Sequence, residues 1–228
     1  MVLKSQESLG VFLPCRKGSE RVPNKNTKKF SKKGESLLDI KLLQLSNSIN
    51  IDNIVVSTND EKVKEIVKNY SYNKKIKIIN REDELSSSLT KTDDLVKHAS
   101  EILDNKFILW THVTSPFMTT ELYDKSINVF KKNYKLKKHN SLMTVNKCQK
   151  FTWDSNGPLN YDRNKIKWPN TQTLPIYWLI NSAAFISTKE NYIKNNDRIC
   201  NNPHYFEMSD FSSFDIDNIE DFKFAQMY

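Results

Sequence analysis

Two groups of residues have types and spacing suited to chemistry, and they lie near opposite ends of the chain. The first is Val11-Phe-Leu-Pro-Cys-Arg-Lys-Gly-Ser-Glu-Arg-Val-Pro-Asn-Lys-Asn26. Its apolar run stops abruptly, and Arg16, Lys17, Arg21 and Lys25 then crowd around Gly18, Ser19 and Pro23. A buried strand that delivers several cations and a flexible Gly-Ser turn at its carboxyl end is built to receive a polyanion, and the polyanion to expect there is a nucleoside triphosphate. Arg16 and Arg21 can grip phosphate oxygens bidentately, and Lys25 can act as a point charge. The loop is neither a GxxxxGK[ST] phosphate loop nor a dinucleotide fingerprint, because Gly18 is its only glycine. With four glycines in the whole chain, side chains rather than a backbone cradle must hold the anion. The alternative reading is a solvated basic loop.

The second group is Phe214-Asp-Ile-Asp217. If Phe214 and Ile216 point inward on a strand, Asp215 and Asp217 share the other face. Adjacent carboxylates repel unless a cation sits between them, and Mg²⁺ takes one or two carboxylates together with phosphate oxygens and waters. The alternative is that Asp217 caps a helix starting near Asn218. Charge is segregated in the same way: residues 1–35 hold nine basic and three acidic groups, whereas residues 205–228 hold six acidic groups and one lysine. That pattern describes a site with separate cationic and anionic roles. The net charge of +8 raises the question of nucleic acid. Concentration of the charge in one loop, without an RNA-binding aromatic motif, argues against it.

The elements that must position these groups alternate. Strands are expected at about 11–15, 53–58, 76–79, 107–110 and 141–145, and helices at about 36–47, after Asn59 or Asp60, at about 92–104 and near 120–132. Short strands alternating with helices imply an α/β fold, doubly wound around a mostly parallel sheet, with ligands outside the carboxyl ends of the strands. The 228 residues suffice for one such domain, spanning 1–228. Residues 147–180 break the rhythm with Trp153, Tyr161, Trp168, Tyr177 and Trp178 among prolines, and read as a β-rich excursion that is either a partner surface or a local mini-core. Cys15, Cys148 and Cys200 are widely spaced and form no CxxC, so reduced thiols are expected. Cys15 reads as an apolar filler rather than a nucleophile, since no base stands beside it. No apolar run approaches the roughly 20 residues of a membrane span, and the first residues lack a signal-peptide profile, so a cytoplasmic protein is expected.

Together these features resemble one family. Pro14-Cys-Arg-Lys-Gly-Ser-Glu-Arg-Val-Pro-Asn-Lys-Asn26 resembles the P-A-R-x-G-S-K-x-[IVL]-P-x-K-N signature of the CMP-sialic acid synthetases, the acylneuraminate cytidylyltransferases. Val55-Val-Ser-Thr-Asn-Asp60, Arg81-Glu-Asp-Glu-Leu85, Thr114-Ser-Pro116, Leu174-Pro175 with Asn181 and Ala183, and Ser213-Phe-Asp-Ile-Asp217 resemble its later motifs, in order. The resemblance implies a Rossmann-like nucleotidyltransferase that moves CMP from CTP to an acidic sugar and releases pyrophosphate. It puts Arg16, Ser19 and Lys25 on phosphate-binding positions, with Pro14, Cys15, Gly18 and Arg21 in the same loop. Asn26, Arg81 and Thr92 fall on nucleotide-contacting positions, and Asp215 and Asp217 on magnesium positions. It also implies a homodimer, with about 147–180 as the dimerisation and acceptor-side excursion.

The departures gather on the acceptor side, where His112, Thr114, Ser115, Gln172 and Asn181 would contact the sugar. His112 and Val113 replace the family's Gln-Pro, Thr171 replaces an arginine, Ser182 stands where the family has glycine, and Glu20 replaces a lysine. Cytidylyl transfer is therefore expected, with an acceptor other than N-acetylneuraminate within reach. His112 is either an acceptor contact or a hydrogen-bonded strand-end histidine. The competing functions are a cytidylyltransferase for a phosphorylated, phosphonate or other acidic acceptor, and a nucleotide-binding homologue without turnover.

Overall fold

Leu9–Pro14 is apolar at almost every position because, as strand β1, it is covered on both faces, which is how a parallel strand reads. The computed structural model of the chain describes residues 7–70, 72–73 and 75–228. After β1 come α1 (Leu37–Ser46), β2 (Asn53–Thr58), α2 (Glu61–Lys68), β3 (Ile76–Asn80), α3 (Thr92–Ile102), β4 (Phe107–Thr111), α4 (Thr120–Lys135) and β5 (Ser141–Cys148). A hairpin of β6 (Trp153–Asp154) and β7 (Gly157–Pro158) follows, then β8 (Tyr177–Thr188), α5 (Lys189–Asn195), β9 (His204–Glu207) and α6 (Ile219–Ala225).

One seven-stranded sheet runs β3-β2-β1-β4-β8-β5-β9. β8 is antiparallel to both neighbours, and the other strands share one direction. Alternate residues of each strand feed two cores: Val11, Leu13, Ile54 and Leu109 face α1, α2, α4 and α6, while Phe12, Val55, Ile108 and Trp110 face α3 and α5. This is the expected doubly wound fold. The helix starts are set by side-chain caps: Ser36 with Asp39 opens α1 as a capping box, and Asp60 opens α2.

Two expectations are corrected, and a third gains detail. The 213–217 segment is not a strand; it makes no ladder and runs as irregular chain into Asn218, and Asn218, not Asp217, caps α6. The 147–180 excursion carries strand at the paired ends of β5 and β8 and in the short β6–β7 hairpin, with irregular chain between them past Pro169 and Pro175, which lack the N–H that a ladder needs. β8, α5 and β9 were not expected at all. β8 escapes the period-two pattern because its register against β5 jumps between Met143↔Phe185 and Val145↔Ile180, a bulge of chain at 181–184. In that bulge Ser182 has φ 59°, a left-handed conformation that costs a non-glycine residue about 1–2 kcal/mol. Ser182→Gly is therefore expected to stabilise the protein by roughly 0.5–1 kcal/mol, once glycine's greater unfolded-state entropy is subtracted. Urea unfolding midpoints check this, and a destabilised variant would contradict the strained-bulge account.

Candidate active site

Chain order reverses direction across the sheet between β1 and β4, and the crevice beyond their carboxyl ends is where open α/β sheets bind ligands. A cleft of about 290 Å³ opens there. Pro14, Arg16, Ser19, Arg21, Lys25 and Asn26 line one side, and His112, Val113 and Thr114 the other. The first loop reaches it through local bonds: Gly18 turns the chain with φ 81°, Arg16 donates to the Gly18 carbonyl, and the Lys17 N–H donates to Asn59. The Leu38 N–H bonds the Asn26 carbonyl, which ties the end of the loop to α1.

The late aspartates are not among the lining residues, but their segment is tied to two of them. Lys25 Nζ donates to the Ile216 carbonyl at 2.7 Å, and Arg21 pairs with Asp217 at 3.0 Å. The Ile216 N–H bonds the Thr114 carbonyl at 2.9 Å, so the 215–217 segment is pinned between the first loop and the loop after β4. Ile216 is fully buried, and the two aspartates flank it, Asp215 half-buried and Asp217 exposed. Burial raises the Asp215 pKa, and the like charge of Asp217 adds to this, while a Thr114 hydrogen bond and Lys25 oppose it. Burial likewise lowers the Lys25 pKa, with Asp215 and Asp217 pulling it back up. Among the described residues no three His, Cys, Asp or Glu side chains converge as a ligand set. The donor set still fits Mg²⁺: two hard carboxylates that a cation would relieve, beside cations placed for phosphate oxygens.

His112 is a neutral donor. Trp110 Nε1–H donates to its Nε2 at 3.0 Å, which leaves the ring proton on Nδ1. Burial, then the charges of Arg198, Lys41 and Lys25, push its pKa down to about 3. An imidazole whose acceptor nitrogen is already occupied cannot serve as a base.

The other sequence-predicted residues lie outside the cleft lining. Cys15 is fully buried, its thiol pushed up to about 12 by desolvation, and only its backbone serves the site, bonding Ser57 and Thr58. Arg81 points inward, 2% exposed, and donates to the Ser57 carbonyl and hydroxyl, so it fastens the end of β3 to β2. Thr92 is exposed at the start of α3, and Gln172 is exposed in a short turn where its carbonyl accepts from Gln149. Ser115 is buried beneath the cleft. Asn181 donates to Asn146 at 2.8 Å, and Asn146 donates to Ser213 at 2.6 Å, so it acts on the 213–217 segment at one remove.

Sequence reasoning missed Lys41 and Asn146. Lys41 is fully buried and donates to the Ser115 carbonyl and the Tyr123 hydroxyl, each at 2.8 Å. Burial lowers its pKa to about 7, with Asp215 acting in the opposite direction. A lysine at the helical spacing of Leu37, Leu38, Leu42 and Leu45 was the available signal. A second cavity of about 340 Å³, between Phe30, Ile40, Phe117 and Tyr228, holds neither the loop cations at 16–25 nor the two aspartates.

A cleft lined by Arg16, Arg21 and Lys25 at the switch point of a doubly wound sheet is an arrangement suited to a nucleotidyltransferase. Residues 11–225 match the cytidylyltransferase family model, and the chain belongs to that family. It is 26% identical over 221 residues to an N-acylneuraminate cytidylyltransferase of Streptococcus agalactiae serotype V, covering 92% of this chain and 51% of that protein. It is 30% identical over 116 residues to a pseudaminic acid cytidylyltransferase of Campylobacter jejuni, covering 51% of this chain and 48% of that one. The chain thus spans about half the length of these curated relatives. A CMP:2-keto-3-deoxy-manno-octonic acid synthetase solved with CTP shares the fold, with TM-score 0.66 at 12% identity over 96% of this chain and 97% of that one. A 2-C-methyl-D-erythritol 4-phosphate cytidylyltransferase of Francisella tularensis has TM-score 0.63 at 16% identity, over 96% and 99%.

Two outcomes follow from this geometry. Cys15 should resist iodoacetamide at pH 8 in the folded protein and react only on unfolding; mass spectrometry of labelled peptides checks this, and fast native labelling of Cys15 would contradict its burial. His112 protonates near 6.5 when unfolded but near 3 when folded, so between those values the unfolded chain binds more protons and stability falls as pH falls. His112→Gln should flatten that acid limb of the urea-midpoint profile, and an unchanged slope would contradict the assignment.

Proposed function

We propose that the chain is a Mg²⁺-dependent cytidylyltransferase that transfers CMP from CTP to an acidic, sialic-acid-like sugar and releases pyrophosphate. The observation that carries this reading is the meeting of Arg21 and Lys25 with the 215–217 segment beside one cleft, at 3.0 Å to Asp217 and 2.7 Å to the Ile216 carbonyl respectively. Family membership and the names of the relatives support CTP and a sugar acid as its substrates.

In the reaction a sugar hydroxyl forms a bond to the α-phosphorus, the α–β bridging P–O bond breaks, the electron pair leaves with pyrophosphate, and the hydroxyl proton is released to water. Arg16, Arg21 and Lys25 bind the phosphate oxygens and offset the negative charge that would repel the nucleophile. Ser19 and Asn26 line the same wall and orient the nucleotide. Asp215 and Asp217 would hold Mg²⁺, which would supply Lewis-acid neutralisation of phosphate charge. Bound nucleotide would compete for Arg21 with the Arg21–Asp217 pair. Thr114, and His112 through Nδ1–H, face the acceptor. Positioning supplies most of the acceleration, as for phosphoryl transfer generally.

The partners of the reading are CTP and the acceptor, with a second copy of the chain as dimer partner. Trp168 at 65%, Leu179 at 55% and Ile180 at 53% exposure place large apolar side chains on the excursion and the start of β8, which supports that surface as the interface. Its rings also pack on one another: Phe151 on Tyr161 and Trp168, and Arg163 over Trp153 and Trp168. No described helix is long and apolar enough to cross a membrane, in keeping with a cytoplasmic enzyme whose product feeds surface-glycan synthesis.

CTP with Mg²⁺ should raise the melting temperature more than ATP, GTP or UTP, and Arg16→Ala should abolish the shift. Asp215→Asn should lower kcat/KM in a pyrophosphate-release assay by about 100-fold or more. Equal protection by all four triphosphates, or full activity without Asp215, would overturn the reading.

A further inference from the structure

Beyond His112, on the same face of the sheet, stands a cation that neither the family motifs nor the first loop accounts for. Helix α5 ends at Asn196 in a left-handed conformation, φ 49°, and the turn that follows delivers Arg198. Its guanidinium carbon lies 3.8 Å from the Phe185 ring centre and 5.2 Å from that of Trp110. Tyr192 and Asp197 act on it electrostatically, and no ion pair joins either to it. Among the described residues the Arg198 guanidinium meets these rings and no hydrogen-bonding oxygen.

This is an unusual way to hold a charge. Burial lowers the Arg198 pKa, so the environment charges a desolvation cost that an ion pair normally offsets. Stacking on aromatic faces orients the planar fork and leaves its edge N–H groups available. Trp110 joins the two donors: its ring lies under Arg198, and its Nε1–H fixes the His112 tautomer that points a second N–H outward. A preset guanidinium edge next to a neutral N–H donor matches a planar carboxylate, which accepts two parallel hydrogen bonds from a guanidinium and a further one alongside.

We propose that Arg198, held on Phe185 and Trp110 and assisted by His112, is the residue that selects the acceptor by binding its carboxylate. The inference rests on the cytidylyltransferase reading above and deepens it.

The test compares N-acetylneuraminic acid with its methyl ester, which removes the anion and keeps the sugar. Both are titrated calorimetrically into the full chain with CMP and Mg²⁺ present, using wild type, Arg198→Gln and Arg198→Lys, while CTP-dependent thermal protection is recorded for each. The wild type should prefer the acid by about 10- to 100-fold, as expected for hydrogen bonds to a charged group. Arg198→Gln should erase that preference through the acid alone and keep CTP protection, and Arg198→Lys should retain part of it. A merely structural arginine would lower the melting temperature and leave the acid-to-ester ratio unchanged, which would overturn the proposal. So would a wild type that binds neither compound, or both equally, while CTP still protects. Loss of CTP protection in the wild type would instead sink the nucleotide reading, and the acid-to-ester ratio would still decide the role of Arg198. If Arg198→Gln does not fold, Arg198→Lys and His112→Ala carry the same comparison: acid preference unchanged in both would overturn the proposal.

Discussion

The bond from Lys25 to the Ile216 carbonyl joins residues 191 positions apart and decides what the cleft is. Without it the first loop is a solvated run of cations and the last aspartates are a surface cluster. The bond does not hold the fold together: the neighbouring Arg21–Asp217 pair is more than half exposed, and such pairs contribute about 0–1 kcal/mol. The sheet and its two cores supply the stability. What the bond does is place opposite charges against one another at a concave, partly desolvated position, which is where the proposed exchange of partners for phosphate and a metal ion would occur. The cost of keeping Lys25 and Asp215 half-buried appears in both pKa shifts.

The rest of the architecture serves that juxtaposition. β1 and β4 end side by side, so the loops at 14–26 and 112–116 face each other. Lys41, buried under the second loop, holds the Ser115 carbonyl from below, while the Ile216 N–H holds Thr114 from the other side. The 213–217 segment has no ladder to fix it; Asn181 and Asn146 do so through Ser213. A strained bulge at Ser182 is tolerated at the point where that support begins.

Much of this was legible in the residues, and what was not has physical reasons. The parallel half of the sheet was readable because buried strands leave continuous apolar runs with capped helices between them, as at Asn53–Thr58 followed by Asp60. β8 was not, because its first half is exposed and its alternation breaks at the bulge. The cationic first loop was legible because its charges are local in sequence. Arg81 and Cys15 show the limit: a motif position gives the residue type but not the direction of the side chain, and both point into the interior. Arg198 shows the converse, since its placement depends on two rings brought from β4 and β8 that no local pattern announces.

The most direct test of the central claim is a crystal structure of the chain with CTP and Mn²⁺, read by anomalous scattering. The account predicts an Mn²⁺ peak between Asp215 and Asp217, with triphosphate oxygens against Arg16 and Lys25 and the Arg21–Asp217 pair broken. A nucleotide bound in another cavity, or a metal peak away from those two carboxylates, would contradict it.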